Sequence, residues 1–266
     1  MRLNQADLAF AERLADAAGA AIRPYFRQPH GLEQKPDHSP VTLADLAGEQ
    51  AMRALIEATY PDDAIIGEEF GTKAGSNGRA WVLDPIDGTR AFIAGRPIFG
   101  TLIALVIEGW PVIGVLDQPI LQERWLGVTG RPTLLNGNPA RTRRCASLTG
   151  ASLATTSPHL FSDHQASHFV SLASVAASGT LRQGPIYGGD CYNYGCLASG
   201  HIDIVVEAGL KFHDFAALVP IVEGAGGRMC DWAGDPLTEH SSGEVIAAGD
   251  PARIDDIIEA LACTGH

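Results

Sequence analysis

Leu3, Ala6, Phe10, Leu14, Ala17 and Ala21 recur every three or four positions, which predicts an amphipathic helix over 3–22 that stops near Pro24. Pro29, Gly31, Pro36, Ser39 and Pro40 mark the segment 29–40 as a loop. Thr42, with Asp45 three residues on, predicts the cap of a second helix, whose Leu46, Met52, Leu55 and Ile56 contribute to an inward face before Pro61. The period then shortens to strand-like runs at 64–66, 81–83, 101–107 and 112–116, the last two joined by a turn at Glu108-Gly109-Trp110-Pro111. Glu68 and Glu69 follow the first run and Asp84 the second, placing carboxylates just past the ends of neighbouring strands, where layered folds display chemistry.

Beyond the turn cluster Asn136-Gly137-Asn138-Pro139, helical patterns at 162–178, 190–199, 214–224 and 251–262 alternate with strand-like runs at 202–206, 228–232 and 245–248. No internal repeat is present. The alternation, with one antiparallel hairpin, predicts layered sheets and helices in two closely packed subdomains, residues 1–135 and residues 136–266, meeting at a seam rather than a flexible linker.

Composition narrows the function. Apolar residues make up 45% of the 266 and charged ones 19%, enough for a sizeable core and too little charge for disorder. The formal charge of −12 repels polyphosphate, so nucleic acid is not an expected partner, while divalent cations or cationic small molecules are compatible ligands. Five cysteines, odd in number and without a C-x-x-C, suit reduced thiols in a cytosol. With no apolar leader and no run of about 18 apolar residues, a cytoplasmic chain that does not span a membrane is expected.

The most informative stretch is Trp81-Val82-Leu83-Asp84-Pro85-Ile86-Asp87-Gly88-Thr89-Arg90. A buried strand delivers Asp84, Pro85 fixes the turn, and Asp87 returns three residues later beside Gly88, which permits close backbone approach to a ligand. Two carboxylates and the Ile86 carbonyl can converge as an all-oxygen set of the kind Mg²⁺ prefers. His164 and His168, at i,i+4 without a third ligand nearby, read instead as a solvated helix face.

The string Asp84-Pro85-Ile86-Asp87-Gly88-Thr89 resembles the metal-binding signature of the inositol monophosphatase family, Mg²⁺-dependent phosphomonoesterases. Thr42-Leu43-Ala44-Asp45, Gly67-Glu68-Glu69, and Phe212-His213-Asp214-Phe215-Ala216 through Glu223-Gly224-Ala225-Gly226-Gly227 are similar to its other elements, in order. The resemblance implies an α+β fold, the layered αβαβα sandwich of the inositol monophosphatase and fructose-1,6-bisphosphatase type, and a homodimer. It also implies two or three Mg²⁺ per active site. Glu68, Asp84 and the Ile86 carbonyl would hold the first, and Asp84, Asp87 and Asp214 the second. Gly88 and Thr89 would bind phosphate through backbone N–H groups, Glu69 and the Thr89 hydroxyl would flank the attacking water, and Asp45 would support that threonine. His213 stands where the family usually has Trp; its imidazole can pack as an aromatic body or contact phosphate or substrate. Arg90 replaces the common Asn or Lys.

Gly188-Gly189-Asp190-Cys191-Tyr192 departs from the small neutral residues of inositol-specific members and resembles the histidinol-phosphate phosphatase branch. That implies a small phosphate ester as the partner, with Gly189, Asp190, Cys191 and Glu207 around its non-phosphate part. Asp190 would face the ammonium of histidinol phosphate. Inositol-1-phosphate is the alternative substrate, and a regulatory binding protein of the same fold the non-enzymatic alternative.

Overall fold

In a computed structural model, residues 5–29, 31, 33–34, 40–178 and 184–262 are described. Leu3, Pro36, Ser39 and Cys263 lie outside the described residues. Helix α1 (Gln5–Ile22) leads through a 3-10 turn to a short ladder, β1 (Glu33–Gln34) against β2 (Pro40–Val41), within the segment expected to be loop. Helix α2 (Leu43–Thr59) starts on the predicted capping box of Thr42 and Asp45. Strands β3 (Ala64–Gly67), β4 (Gly71–Lys73) and β5 (Arg79–Asp87), then the short α3 (Thr89–Ile93), lead to a meander of β6 (Gly100–Ile107), β7 (Trp110–Gln118), β8 (Glu123–Val128), β9 (Leu134–Leu135) and β10 (Asn138–Pro139). The later chain forms β11 (Leu153–Thr155), α4 (Asp163–Ala176), β12 (Ile186–Tyr187), α5 (Asp190–Ala198) and β13 (Ile204–Glu207). It ends with α6 (Phe212–Phe215), α7 (Leu218–Gly224), β14 (Arg228–Cys230), β15 (Val245–Ala248) and α8 (Ile254–Ala262).

The strands build an eight-stranded sheet, β10-β9-β8-β7-β6-β5-β3-β4, and a five-stranded sheet, β12-β11-β13-β15-β14. Alternation along β5 sorts the layers: Trp81 and Leu83 pack with Phe10, Leu14 and Met52 of α1 and α2, while Val82 faces the opposite way. Val82, Leu102 and Trp125 of the large sheet meet Tyr194, Leu218 and Ile221 of the middle helices, which in turn cover Val205 and Ala247 of the small sheet. Phe169 and Leu172 of α4 and Ile257 and Leu261 of α8 close its outer face. The order helix, sheet, helix, sheet, helix is the expected αβαβα sandwich. Both faces of the sheets are covered, so β6 and β15 are continuous apolar runs rather than alternating ones.

Several boundaries differ from expectation for local reasons. The hairpin between β6 and β7 turns on Glu108 and Gly109 alone, both with positive φ (51° and 83°), and Trp110 already pairs with Ile107. Asn136 and Gly137 (φ 49° and 79°) make the equivalent turn between β9 and β10, so the large sheet runs through Pro139. The pattern at 214–224 is two helices, α6 and α7, rather than one.

A buried ion network ties α1 to the large sheet. Arg79, 5% exposed, places Nη2 2.7 Å from Asp7 Oδ1 of α1 and Nε 3.1 Å from Asp63 Oδ2, which also accepts from Trp81 Nε1 at 3.0 Å. Replacing one member of such a network strands the remaining charges. Arg79→Met should therefore lower unfolding stability by about 3–5 kcal/mol, read from the midpoint of urea denaturation at unchanged m.

Candidate active site

Parallel pairing of β3 with β5, Gly67 opposite Leu83, brings Glu68 beside Asp84. The Glu68 N–H donates to the Leu83 carbonyl at 3.2 Å, continuing the ladder past the strand end. Asp84 and Asp87 are not beyond β5 but within its last turn, where the pairing with β6 shifts register between them. Pro85 has no N–H to give the ladder, and its carbonyl accepts from Thr101 Oγ1 at 2.8 Å, which pins the bulge. Gly88 (φ 90°) then swings the chain into α3.

The loop carrying Glu68 and Glu69 is held by a residue that sequence reading passed over. Glu49 of α2, fully buried, accepts from Glu69 N (2.7 Å), Phe70 N (3.1 Å) and Arg53 Nε (2.7 Å). A Cβ on Gly67 would lie 2.0 Å from Glu49 Oε1, so only glycine lets this carboxylate close. The available signal was a carboxylate in phase with Asp45, Met52 and Ile56 on the inward face of α2.

The later chain completes the site. Asp214, third residue of α6, accepts from Lys211 N at 2.6 Å, and one oxygen each of Asp84, Asp87 and Asp214 lie within 4.8 Å of one another. From the start of α5, Cys191 N donates to Asp87 Oδ2 at 2.5 Å. Asp190 (φ 41°) lies over Gly88, where a Cβ would come within 3.0 Å of its Oδ2. Both halves of the chain therefore contribute to one cluster.

Electrostatically this cluster is uncompensated. Burial, then the charges of Glu68, Asp87 and Asp214, push Asp84 well above the usual carboxylate range. Burial and the charges of Asp190 and Asp214 do the same for Asp87 against the Cys191 N–H. Burial raises Asp214 despite His213, whose Nε2 stands 3.4 Å from its Oδ1. Asp84 Oδ1 is buried without a hydrogen-bond partner. Convergent carboxylates, an orphaned oxygen and no lysine or arginine among the cluster's own members suit a hard divalent cation, which would supply the missing positive charge.

A sequence model of the inositol monophosphatase family matches residues 3–265. The chain belongs to this family. It is 49% identical over 257 residues to the chloroplastic bifunctional phosphatase IMPL2 of Arabidopsis thaliana, covering 93% of this chain and 72% of that one. It is 37% identical to the histidinol-phosphatase of Chlorobaculum parvum, covering 91% and 92%. A solved inositol monophosphatase from Zymomonas mobilis is 53% identical, with a TM-score of 0.87 over 98% of this chain and 100% of that one. The family consists of phosphatases, generally metal-dependent, acting on small phosphate esters.

Within this family member, Gly88, Thr89, Arg90, Arg96, Gly189 and Asp190 line a cleft of about 370 Å³ that Glu68 also borders. Asp45 Oδ2 accepts from Thr42 N (2.8 Å) and Thr42 Oγ1 (2.6 Å), which closes the helix cap, and Thr89 Oγ1 donates to the Ile86 carbonyl at 3.1 Å. Cys191 is 1% exposed, with its Sγ on the Asp87 carbonyl at 3.8 Å. Glu207, 3% exposed, accepts from Thr155 Oγ1, Thr156 N and Thr156 Oγ1 at 3.1, 2.6 and 2.8 Å. Glu69 is half-buried beside Glu68. His164 and His168 bring their Nε2 atoms to 3.0 Å, but no third ligand joins them among the described residues. Nor is any helix among the described residues long and apolar enough to cross a membrane.

Burial raises Asp190 to about 6, against Arg90, and Glu207 to about 7, against Thr155 and Thr156. Both groups bind protons more tightly folded than unfolded, so their contribution to stability is full below about pH 4 and is lost as pH rises through about 6 and about 7. Thermal melts of metal-free protein should show this loss, and the double substitution Asp190→Asn, Glu207→Gln should flatten it. An unchanged slope would contradict the assignment.

Proposed function

We propose that the chain is a Mg²⁺-dependent phosphomonoesterase that hydrolyses histidinol phosphate to histidinol and phosphate, a step of histidine biosynthesis. The observation that carries the substrate choice is Asp190: a carboxylate on the wall of the phosphate cleft, over Gly88, where an ester bearing an ammonium beside its phosphate can pair with it. Similarity to a histidinol-phosphatase along nine-tenths of both chains supports the reading. Inositol-1-phosphate is the second substrate reading, favoured by the likeness to the Zymomonas inositol monophosphatase. The presence of Glu68, Asp84, Asp87 and Asp214 supports the enzymatic reading over a regulatory binding protein of the same fold.

In this reading Glu68, Asp84, Asp87, Asp214 and the Ile86 carbonyl would hold two or three Mg²⁺, which would supply charge to neutralise phosphoryl oxygens and to activate water. The Gly88 and Thr89 N–H groups orient the phosphate. Glu69 and the Thr89 hydroxyl position the attacking water, which gives a proton to Glu69 as its oxygen bonds to phosphorus, while the ester oxygen leaves in line and takes up a proton from solvent. The N-terminal subdomain, residues 1–135, supplies most metal ligands, and the C-terminal one, residues 136–266, adds Asp214 and the substrate-selecting residues. Family resemblance further supports a homodimer, and the free thiols of Cys145, Cys191, Cys196 and Cys230 suit a cytoplasmic setting.

A panel of phosphate esters assayed with Mg²⁺ tests the proposal. Histidinol phosphate should give the highest kcat/KM, and Asp190→Ala should lower it by roughly tenfold to 150-fold, the worth of a charge-assisted hydrogen bond. A preference of the wild type for inositol-1-phosphate overturns the substrate. Asp214→Asn should abolish most turnover while raising the metal-free melting temperature, because it removes one like charge from the cluster. Full turnover in excess chelator, or near-normal kcat in Asp214→Asn, overturns the metal assignment.

A further inference from the structure

Beside the cleft lies a second, much smaller chamber of about 30 Å³, whose polar wall is formed by Asp87, Asp190, Thr156, Tyr194, Glu207 and Asp214, with Cys191 and Leu210 completing it. Asp190 and Thr156 belong to the walls of both spaces, so the chamber adjoins the phosphate cleft. Its volume suits one or two groups the size of water and excludes a six-membered ring.

The chamber has one feature that the metal cluster does not explain. Tyr194, 2% exposed, carries a buried hydroxyl with no hydrogen-bond partner. Its ring is within the central core, so packing alone would be served as well by phenylalanine, which leaves no polar atom unpaired. Burial and the charges of Glu207, Asp87 and Asp214 push its ionisation well above the usual range, so the group is a neutral phenol that both accepts and donates. Asp87 and Asp214 would be neutralised by the cation they hold, which leaves Asp190, with Arg90 near it, and Glu207 as the remaining acidic groups of the wall. Glu207 is fixed there by Thr155 and Thr156. The complement of this wall is compact, cationic and rich in donors.

We propose that this chamber receives the ammonium group of an amino-alcohol phosphate ester, and that Tyr194 is a specificity-determining residue whose hydroxyl accepts an N–H from it. The proposal rests on the phosphomonoesterase reading and deepens it. Asp190 and Glu207 supply the opposing charge, while the phenol, being uncharged, sets direction. A polyol ester brings hydroxyls but no cation, and its ring is too large to follow them in, so the chamber discriminates chiefly by charge.

The test compares histidinol phosphate with its deaminated analogue, hydrogen in place of the amine, on the Mg²⁺-supplied full chain. Wild type should favour the amino ester, and Tyr194→Phe should shrink that kcat/KM ratio by roughly tenfold or more, mainly through KM. A merely structural role would depress both esters alike and leave the ratio unmoved. Thermal melting supplies the second readout: ligand-free Tyr194→Phe should melt no lower than wild type, because the orphaned hydroxyl is gone. An unmoved ratio in a well-folded Tyr194→Phe, or no amino preference in wild type, overturns the chamber. In those cases the substrate reading stands if histidinol phosphate still exceeds inositol-1-phosphate. Conversely, a wild type that prefers inositol-1-phosphate yet selects amino over deaminated esters, with the ratio reduced in Tyr194→Phe, overturns the substrate reading and keeps the chamber.

Discussion

The mutual repulsion of Asp84, Asp87 and Asp214, each withdrawn from water, is the constraint around which the rest of the site is arranged. Carboxylates this close do not share a buried site at neutral pH without added protons or cations. The fold holds them there by spending packing energy gained elsewhere, in three apolar layers that cover both faces of each sheet. His213 and Lys211 offset only part of the burial of Asp214, and an excess of negative charge of this kind suits a divalent cation.

Holding the acids also requires backbone of unusual form. The register shift in β5 turns Asp84 and Asp87 toward one point although they are three residues apart, an arrangement that a regular strand, with its period of two, does not give. Gly67 and Gly88 act through absence: the first makes room for Glu49, the second for Asp190. Each removes a side chain where a carboxylate from another element must enter. The earlier and later parts of the chain thereby meet at the site itself, through the Cys191 N–H on Asp87 and Asp214 beside it.

Much of this was legible in the sequence, and the losses have physical causes. Helices α1, α2, α4 and α8 announce themselves because each buries one stripe of a 3.6-residue period, and the Thr42 cap was readable because its bonds are local. Strands β8 to β12 were missed: β8 mixes Glu123 and Arg124 with Trp125, and β9, β10 and β12 are two residues long and owe their pairing to neighbours distant in sequence. The convergent acids were legible because a short string carries Asp84 and Asp87 and the family resemblance carries Asp214. Glu49 and Tyr194 were not, since a single Glu on a helix or a single Tyr in an apolar run reveals its partners, or their absence, only in three dimensions. Asp45 was legible in the sequence as a cap, and its bonds to Thr42 N and Oγ1 bear that out.

Asp190 is the residue at which these constraints meet. It is one of five described non-glycine residues with positive φ, and the other four, Arg27, Glu108, Gln122 and Asn136, are not in the acidic site. A left-handed backbone at a non-glycine residue costs of order 1–3 kcal/mol unless its surroundings fix it. Here they do: Gly189 at φ 112° sets the approach, Cys191 N is bound to Asp87, and the Asp190 side chain is held between Gly88, Thr156 and Arg90. Asparagine and aspartate tolerate this region best among non-glycine residues, whereas a β-branched residue would be an outlier. The backbone at 190 thus restricts which side chains can stand between cleft and chamber, and of those tolerated only aspartate adds a full negative charge. The proposed selection for an ammonium-bearing ester and the tolerance of a strained helix start converge on the same residue.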